Sequence, residues 1–502
     1  MATKQSEFTN RLYYGDCLTI MKQEMMPESV DLIYLDPPFN SARAYNAIYK
    51  NETGRPLPDQ IEAFCDTWQL DEDRERSVRD LPVLMRQHGM GDDVVEFWRL
   101  WMNALRNTQP SMLAYLSYMT ERLLPMKDIL KPTGSIYLHC DPTASHHIKI
   151  MMDAIFGHKN FRNEIIWSYK RWTTKSKAKL NSTHDILLWY SKGDEITFNY
   201  PMLKNTNPNP SQYVSTKDEK GKTIVKRDAE GKAIKRKVAS EIPATDVWNL
   251  PIISPASRER LGYATQKPLV LLERIIKTSS NEGDLIFDPF CGCATTIEAA
   301  HKLNRNWIGI DIAIHAVKRV SKARLQDRLG LVEDKDYIIE GVPLTMEGAH
   351  DLWERDKYHF QKWAIEQVDG FVTTRKTGDG GIDGRIYFAE TGMSKDLSSM
   401  VVEVKGGKSV GISDVRNLRG VMEREGVSMA GLIVLKSPKE RQAMNFHREM
   451  AQAGDLDVGG KKYARMQLLT IEEILDGKRF NIPGLVATRE KSEPVLPGLK
   501  LQ

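Results

Sequence analysis

Residues 29–40 read Ser-Val-Asp-Leu-Ile-Tyr-Leu-Asp-Pro-Pro-Phe-Asn, and the rest of the chain can be interpreted outward from them. The apolar run that ends at Leu35 is rich in residues that favour β-structure, so it predicts a short strand buried on both faces of a parallel sheet. The strand must end at Asp36, because the two prolines that follow cannot donate a ladder hydrogen bond. A carboxylate is therefore expected at the carboxyl end of a buried strand, where open α/β sheets have their active sites.

The four residues Asp36, Pro37, Pro38 and Phe39 have the chemistry to hold a planar amine. The carboxylate of Asp36 and the carbonyl of Pro37 can accept the two amine hydrogens, and the ring of Phe39 can stack on the attached ring. Taken alone, these four residues also fit a proline turn with an exposed aspartate.

Length and composition fit an ordinary globular protein with more than one domain. The chain has 502 residues, of which 41% are hydrophobic and 27% charged, and this length predicts roughly two to four domains. The net charge of +4 permits a polyanionic partner but does not require one. Five cysteines without a CxxC pair argue against a disulfide framework, and no apolar run approaches membrane-spanning length. We expect a soluble, cytoplasmic protein with reduced thiols and no membrane partner.

A second motif lies at 284–296, Asp-Leu-Ile-Phe-Asp-Pro-Phe-Cys-Gly-Cys-Ala-Thr-Thr. It predicts a buried strand that ends at Asp288, a tight turn of small residues, and a helix from Thr295 to Lys302. Such a turn lets a ligand approach the N–H groups at the start of the helix. The turn lacks the GxGxxG pattern, which argues against hydride chemistry. A further strand ends at Asp311, and an acid at this spacing commonly binds ribose hydroxyls.

Other polar residues are predicted near the same sheet edge. Asp16 follows a short apolar stretch and would lie at that edge if the stretch is a strand, although a helix-capping role fits its local sequence equally well. His139, in a predicted strand at 135–140, and Asp141 just after it could be catalytic, but a structural histidine is favoured.

Basic and aromatic residues are concentrated in the middle of the chain. Residues 167–172 interleave the two types, and 221–227 and 231–237 form a small basic repeat that predicts a hairpin joined through 228–230. Basic side chains on such a ribbon can contact phosphates, and aromatic rings can contact bases. The alternative for the repeat is a solvated charged loop. The predicted DNA-binding residues are Trp167, Lys170, Arg171, Trp172, Lys226, Arg227, Lys235 and Arg236.

Together these motifs resemble the β-class DNA amino-methyltransferases over residues 11 to about 330. In that class the catalytic motif precedes the cofactor motif, with target recognition between them. The resemblance implies a Rossmann-like, doubly wound α/β sheet and S-adenosylmethionine as cofactor. It implies catalytic roles for Asp36, Pro37, Pro38 and Phe39, and cofactor-binding roles for Asp16, Lys267, Pro268, Asp288, Phe290, Gly292 and Asp311. The chain departs from the family at Ala294, where a second glycine is common.

The same resemblance implies methyl transfer to the exocyclic amino group of a base flipped out of double-stranded DNA. The DPPF form of the catalytic motif favours adenine N6, with cytosine N4 as the alternative target. RNA is a weaker alternative substrate.

A helix is predicted from Leu352 to Val368. The last third of the chain resembles the Mrr-like branch of the PD-(D/E)xK restriction nucleases over roughly 350–480. The motifs are GDGGIDG at 378–384 and a predicted strand at 400–405 that contains Glu403 and Lys405 on one face. The resemblance implies Asp383, Glu403 and Lys405 as catalytic residues, with Asp383 and Glu403 holding Mg²⁺. Glu366 is a further acid considered for this site. The alternative is a glycine-rich turn beside a surface Glu/Lys pair.

The predicted organisation is a methyltransferase at 1–335 with a target-recognition region at about 160–258, a linker at 336–349, a smaller α/β nuclease domain at 350–482, and a tail at 483–502. The fusion suits a restriction-modification or defence enzyme, as a homodimer or with other such proteins. One alternative is a methyltransferase whose C-terminal domain only binds DNA or a partner. Another is a methylation-dependent nuclease whose N-terminal half senses unmodified bases.

Overall fold

The computed structural model describes the chain in segments. They are residues 9–38, 44–46, 62–65, 68–171, 175, 178, 180–205, 211–237, 239–254, 256–261, 265–314, 316–317, 322–372, 381–388, 398–407 and 410–483. The predicted site residues Phe39 and Trp172 lie outside these segments, as does the tail beyond residue 483.

The first two thirds of the chain contain seventeen strands and seven α-helices within the described residues. In chain order they are β1 (Asn10–Tyr14), α1 (Cys17–Glu24), β2 (Val30–Leu35), β3 (Ala44–Asn46), β4 (Glu62–Cys65), α2 (Glu72–Gln87), α3 (Asp92–Thr108), α4 (Pro110–Ile129), β5 (Leu130–Cys140), α5 (Ser145–Phe156), β6 (Phe161–Ser168), β7 (His184–Ser191), β8 (Met202–Lys204), β9 (Ser211–Tyr213), β10 (Ser215–Lys217), β11 (Thr223–Val225), β12 (Lys235–Lys237), β13 (Glu241–Pro243), β14 (Val247–Asn249), α6 (Leu269–Ser279), β15 (Leu285–Asp288), α7 (Thr295–Lys302), β16 (Asn306–Asp311) and β17 (Tyr337–Glu340).

Nine of these strands form one sheet, in the order β14-β6-β7-β5-β2-β15-β16-β1-β17. The six strands from β5 to β17 are parallel to one another, and β7 is antiparallel to both of its neighbours. β2 lies at the centre, and all six of its residues are buried, as its apolar run predicted. Its single charged residue, Asp31, is held by Lys131 at 2.8 Å and by the Leu285 amide at 2.9 Å.

Helices cover both faces of this sheet, as expected for a doubly wound α/β fold. Helices α1 to α5 pack on the face that carries Val30, Ile33 and Leu35, whereas α6 and α7 pack on the face that carries Leu32 and Tyr34. The predicted Rossmann-like architecture is confirmed.

The last third of the chain forms a smaller α/β unit. Its elements are α8 (Met346–Arg355), α9 (Lys357–Gln367), β18 (Phe371–Val372), β19 (Gly384–Phe388), β20 (Ser398–Lys405), α10 (Ile412–Glu425), β21 (Met429–Val434), α11 (Glu440–Ala451), β22 (Asp455–Val458), β23 (Lys461–Ala464), β24 (Met466–Thr470) and α12 (Ile471–Leu475). The sheet order is β18-β19-β20-β21-β24, with β20, β21 and β24 parallel. The predicted second α/β unit is therefore confirmed.

Three local predictions need correction. The segment 336–349 is not simply a linker, because β17 pairs with β1 at the edge of the large sheet and α8 begins at Met346. The helix predicted over 352–368 is broken at Asp356, whose carboxylate accepts a hydrogen bond from the His359 amide and so caps a new helix.

The third correction concerns only the extent of the predicted basic hairpin, which does form around its turn: Arg227 pairs with Ala233 in antiparallel fashion, and the Ile234 amide donates to the Lys226 carbonyl. The turn at 228–231 is closed by a hydrogen bond from the Asp228 amide to the Lys232 carbonyl. However, the longer pairings run from β11 to β10 and from β12 to β9, so the strand 211–217 contacts both halves of the repeat.

Across the described part of the chain, every helix is too short or too polar to cross a bilayer.

Candidate functional site

The carboxyl ends of five neighbouring parallel strands bring the predicted polar residues to one edge of the large sheet. In sheet order these strands are β5, β2, β15, β16 and β1, and the residues at or just beyond their ends are His139, Asp36, Asp288, Asp311 and Asp16. The parallel direction of all five strands explains why residues far apart in sequence share this edge.

Asp36 is held by a lysine at this edge. Its carboxylate Oδ2 accepts a hydrogen bond from Lys267 Nζ, and both side chains are largely buried, with exposed fractions of 15% and 10%. Oδ1 of Asp36 is also buried and has no hydrogen-bond partner among the described residues. Pro37, which follows, is buried. The site therefore contains a buried acceptor, Oδ1 of Asp36, beside the ammonium group of Lys267. A buried acceptor without a partner destabilises the folded protein unless a ligand can donate a hydrogen bond to it.

The turn after β15 is tied to the end of β16. Asp311 accepts hydrogen bonds from the Gly292 amide and the Ala313 amide, each at 2.8 Å. Asp288 accepts a hydrogen bond from the Phe290 amide at 3.1 Å. Burial raises the pKa of Asp288 to about 7 and that of Asp311 to about 6, so this edge of the sheet holds two carboxyl groups that ionise near neutrality.

The backbone conformation of Ala294 suits glycine, the residue that is common at this position in the methyltransferases that the sequence resembles. Its φ of 55° places it in the left-handed region at the start of α7. This conformation is unfavourable for alanine by about 1–2 kcal/mol, whereas glycine adopts it without this strain.

Asp16 combines both roles considered for it. One carboxylate oxygen caps α1 by accepting from the Leu18 and Thr19 amides, and the other accepts from the buried guanidinium of Arg122 at 2.5 Å. Asp16 thus lies at the end of β1 on the predicted edge, but it is engaged by structural partners there.

Four side chains form a hydrogen-bonded group beside Asp36, and only one of them, His139, was identified from the sequence. His139 bonds to the Tyr34 hydroxyl at 2.9 Å through Nδ1 and to Asp185 at 3.2 Å through Nε2, and Asp185 also accepts from the Tyr169 hydroxyl at 3.0 Å. Burial alone would raise the pKa of Asp185, but His139 and the charge of Lys267 lower it. The favoured structural role of His139 fits this fully bonded environment. Asp185 lies on β7, and no motif in the sequence marked it as part of the site.

The predicted nuclease residues lie close together: Glu403 and Lys405 are on β20, and Asp383 bonds to the backbone of that strand. Glu403 accepts a hydrogen bond from Lys405 Nζ at 2.6 Å, and Asp383 accepts one from the Val404 amide at 2.7 Å. Burial lowers the pKa of Lys405, but the bond to Glu403 and the charges of Asp414 and Asp383 outweigh it, so the pKa is raised. Asp414, at the start of α10, was missed by the sequence reasoning.

Metal-binding groups of three or more His, Cys, Asp or Glu side chains are absent from the described residues. Glu366 does not lie with the nuclease-like trio: its Oε2 accepts from the Ile314 amide, in the N-terminal part of the chain, at 3.3 Å. That suggestion for Glu366 was wrong.

The predicted DNA-binding residues divide into two groups. Lys170, Arg171, Lys226, Arg227, Lys235 and Arg236 are exposed. Trp167 is only 3% exposed, donates its Nε1 hydrogen to the Leu250 carbonyl at 3.0 Å and packs beside His139, so the prediction that it contacts DNA was wrong. Its place on β6 turns the ring into the core.

The basic ribbon at 211–237 carries nine Lys and Arg against four Asp and Glu. Two of the acids build the turns, since Asp218 accepts from the Lys222 amide and Asp228 accepts from the Lys232 amide. The positive side chains therefore dominate the exposed surface of the ribbon.

A family model described as DNA methylase matches residues 30–322, more than half of the chain. The chain belongs to this DNA methylase family. The name of the model covers both N6 and N4 targets. A second model, described as restriction endonuclease, matches residues 350–474. The chain thus joins a DNA methylase region to a restriction endonuclease region, which confirms both resemblances.

Curated relatives include three type II methyltransferases. M.EcaI of Enterobacter cloacae is 30% identical over 261 residues, covering 42% of this chain and 57% of that protein. M.BamHI of Bacillus amyloliquefaciens is 26% identical over 355 residues, covering 69% and 66%. M.HpaI of Haemophilus parainfluenzae is 27% identical over 229 residues, covering 46% and 65%. The chain thus spans somewhat less than two thirds of each relative.

Solved structures that are similar include the M1.HpyAVI–SAM complex and the cytosine-N4-specific PvuII DNA methyltransferase. The first has 17% identity and a TM-score of 0.32, covering 63% of this chain and 98% of that one. The second has 13% identity and a TM-score of 0.37, covering 66% and 96%.

Proposed function

We propose that the N-terminal two thirds of the chain transfer a methyl group from S-adenosylmethionine to the exocyclic amino group of a base in double-stranded DNA. The observation that carries this proposal is the Asp36 carboxylate, buried at the end of β2 with Oδ2 on Lys267 and Oδ1 without a described partner. A carboxylate in this state is suited to accept a hydrogen from a neutral amine.

The donor set at the neighbouring strand ends fits the proposed cofactor. Asp311 can accept bonds from ribose hydroxyls, and the turn at Gly292 brings backbone close to a ligand at the start of α7. Asp288, Phe290, Lys267, Pro268 and Asp16 line the same edge and are proposed to complete the binding site. When bound, S-adenosylmethionine supplies an electrophilic methyl group on its sulfonium.

The protein residues would then act by positioning and electrostatics. Asp36 and the Pro37 carbonyl would accept the two amino hydrogens, which directs the nitrogen lone pair toward the methyl group. Phe39 would stack on the flipped base, and Pro38 would keep the backbone of the motif rigid. The DPPF sequence favours adenine N6 over cytosine N4.

We propose that the basic ribbon, together with Lys170 and Arg171, binds the DNA backbone. The supporting observation is that Lys226, Arg227, Lys235 and Arg236 are exposed. Two of the four acidic residues of the ribbon, Asp218 and Asp228, instead accept hydrogen bonds within its turns. Contacts of this kind give affinity and position but little sequence information.

We propose further that the C-terminal unit is a Mg²⁺-dependent DNA endonuclease. Asp383 and Glu403 would hold the metal, which suits Mg²⁺ because that ion retains several waters and needs few carboxylates. Lys405, held by Glu403 at 2.6 Å, would orient the attacking water or stabilise developing charge.

The first test uses Asp36→Ala in the purified full chain, with transfer of labelled methyl groups to DNA and S-adenosylmethionine binding measured side by side. Transfer should be abolished while binding is retained, because Asp36 contacts the base rather than the cofactor. Persistent methylation would contradict the assignment. Analysis of the modified nucleoside would distinguish N6-methyladenine from N4-methylcytosine.

The second test is plasmid cleavage with Mg²⁺ by wild type and Asp383→Ala, on methylated and unmethylated DNA. Cutting that vanishes in the variant supports the endonuclease. Absence of cutting on both substrates would favour the alternative of a binding module.

A further inference from the structure

Helix α9 of the C-terminal unit reaches the proposed cofactor edge of the large sheet. Oε2 of Glu366 accepts a hydrogen bond from the Ile314 amide at 3.3 Å, three residues after Asp311. Two turns earlier on the same helix, the ring of His359 lies 4.5 Å from the ring of Tyr14, two residues before Asp16. One helix of the nuclease-like unit therefore contacts the segments that carry two proposed cofactor residues.

The contact is a packed core. Phe360, Trp363 and Ile365 of α9 are fully buried, and they share one hydrophobic cluster with Tyr14 and Ile314 of the N-terminal part. β17 of the large sheet also leads directly into α8. A helix held by this much buried apolar surface is fixed against the sheet.

Helix α9 also packs against the strand β19, which begins directly after Asp383. Cγ2 of Ile365 is so close to the backbone of Gly384 that a Cβ added there would be 2.6 Å from it. Gly384 directly follows Asp383. Ile365 and Glu366 are consecutive, so a single turn of α9 contacts segments that adjoin both proposed sites.

The charges around Glu366 come from both parts of the chain. Burial raises the pKa of Glu366, Lys362 on the same helix and the Ile314 amide oppose the rise, and Asp311 on β16 adds a smaller rise, so that the net pKa is about 8. Glu366 is therefore electrostatically coupled to the acid proposed to bind ribose.

We propose that Glu366 is a positioning residue for the cofactor site. Glu366 accepts the Ile314 amide hydrogen and thereby fixes the backbone at 311–314. This backbone segment sets the position of the Asp311 carboxylate. Binding of S-adenosylmethionine by the N-terminal part thereby depends on a helix of the nuclease-like unit. The inference rests on the proposed function. By linkage, bound cofactor must equally stabilise α9 in its docked position.

The test measures S-adenosylmethionine affinity by calorimetry for the full-length wild type and three variants. Glu366→Ala removes the acceptor and should weaken binding about 5- to 10-fold, the effect of one lost hydrogen bond. Glu366→Gln retains a carbonyl acceptor and should bind within about 2-fold of wild type. Gln367→Ala, a neighbouring substitution on the same helix, is the matched control and should leave affinity unchanged.

A second measurement needs no substitution. Backbone amide exchange in wild type should slow across α9 when S-adenosylmethionine is added, although α9 holds none of the proposed cofactor-binding residues. Wild-type affinity in Glu366→Ala, a Gln variant as weak as the Ala variant, or unchanged exchange across α9 would each overturn the inference while leaving the proposed function intact. Failure of the wild type to bind S-adenosylmethionine would overturn both.

Discussion

Lys267 donates a hydrogen bond to the carboxylate of Asp36 across 231 residues of sequence. The two residues meet because Lys267 precedes α6, which packs on the same sheet whose central strand β2 ends at Asp36. The ammonium group of Lys267 binds one carboxylate oxygen, and the other has no hydrogen-bond partner among the described residues. Lys267 is therefore placed to orient the carboxylate toward the base as well as to border the proposed cofactor site.

The first prediction concerns this ion pair. Lys267→Met should lower kcat for methyl transfer about 10-fold or more, because the carboxylate loses the charged partner that fixes its orientation. The measurement is steady-state methylation of DNA. Lys277→Met, on the exposed side of α6 and paired with Glu273 at 3.7 Å, is the control and should retain full activity. An unchanged kcat in Lys267→Met would mean that the ion pair is only structural.

The second prediction concerns Ala294, which is only 1% exposed and has a φ of 55°. Ala294→Gly should leave the free energy of unfolding within about 1 kcal/mol of wild type, because relief of backbone strain offsets the lost methyl group and the added flexibility of the unfolded chain. Ala294→Val should lower it by roughly 2 kcal/mol or more, since a β-branched residue is strongly disfavoured at positive φ. Denaturant unfolding of both variants checks this, and equal stability of the Val variant would refute it.

Local patterns predicted the elements that carry the sheet edge. An apolar run stopped by two prolines marked β2 with its observed bounds, and threonines after a small-residue turn marked α7 with its observed bounds. These signals are local because a buried central strand and a helix start are each specified by a few adjacent residues.

Features that depend on long-range contacts were not predictable in the same way. Trp167 sits in a basic, aromatic stretch that is typical of a nucleic-acid surface, yet pairing of β6 with β7 turns its ring inward. The packing of α9 beside β1 and β16 could not be predicted from the sequence, because buried apolar residues on a helix do not indicate which sheet they cover. For the same reason Glu366 was considered for the nuclease site rather than for the cofactor edge.

The third prediction concerns the basic ribbon. Lys226→Ala should weaken DNA binding to a similar degree for all sequences and reduce the slope of log affinity against log salt by about 1, because one phosphate contact is lost. Lys22→Ala, an exposed lysine at the end of α1, is the control and should leave the slope unchanged. Titration of DNA fragments at several salt concentrations measures both. A sequence-dependent loss would instead indicate base contact by Lys226.

The fourth prediction concerns the pH dependence of stability. Glu366 has a pKa of about 8 in the folded protein, whereas its ordinary value is 4.5. Between pH 4.5 and about pH 8 the folded protein therefore holds a proton on Glu366 that the unfolded chain has released. The free energy of unfolding must therefore fall as pH rises from about 5 to 8, and this contribution is fully present only below that range. Asp288 and Asp311 also have raised pKa values and add to the same trend.

Glu366→Gln isolates the contribution of this one residue, because glutamine cannot ionise and Asp288 and Asp311 remain in both proteins. Relative to wild type, the Tm of Glu366→Gln should rise by roughly 3–8 °C between pH 5.5 and pH 8.5, with little difference at the lower value. Asp311, Lys362 and Tyr14 are the groups that face Glu366 electrostatically, so they must stay unchanged in the comparison. Thermal unfolding followed by circular dichroism at matched ionic strength makes the measurement. Parallel Tm profiles for the two proteins would show that Glu366 ionises in the folded protein at the same pH as in the unfolded chain, which would contradict the raised pKa of this residue.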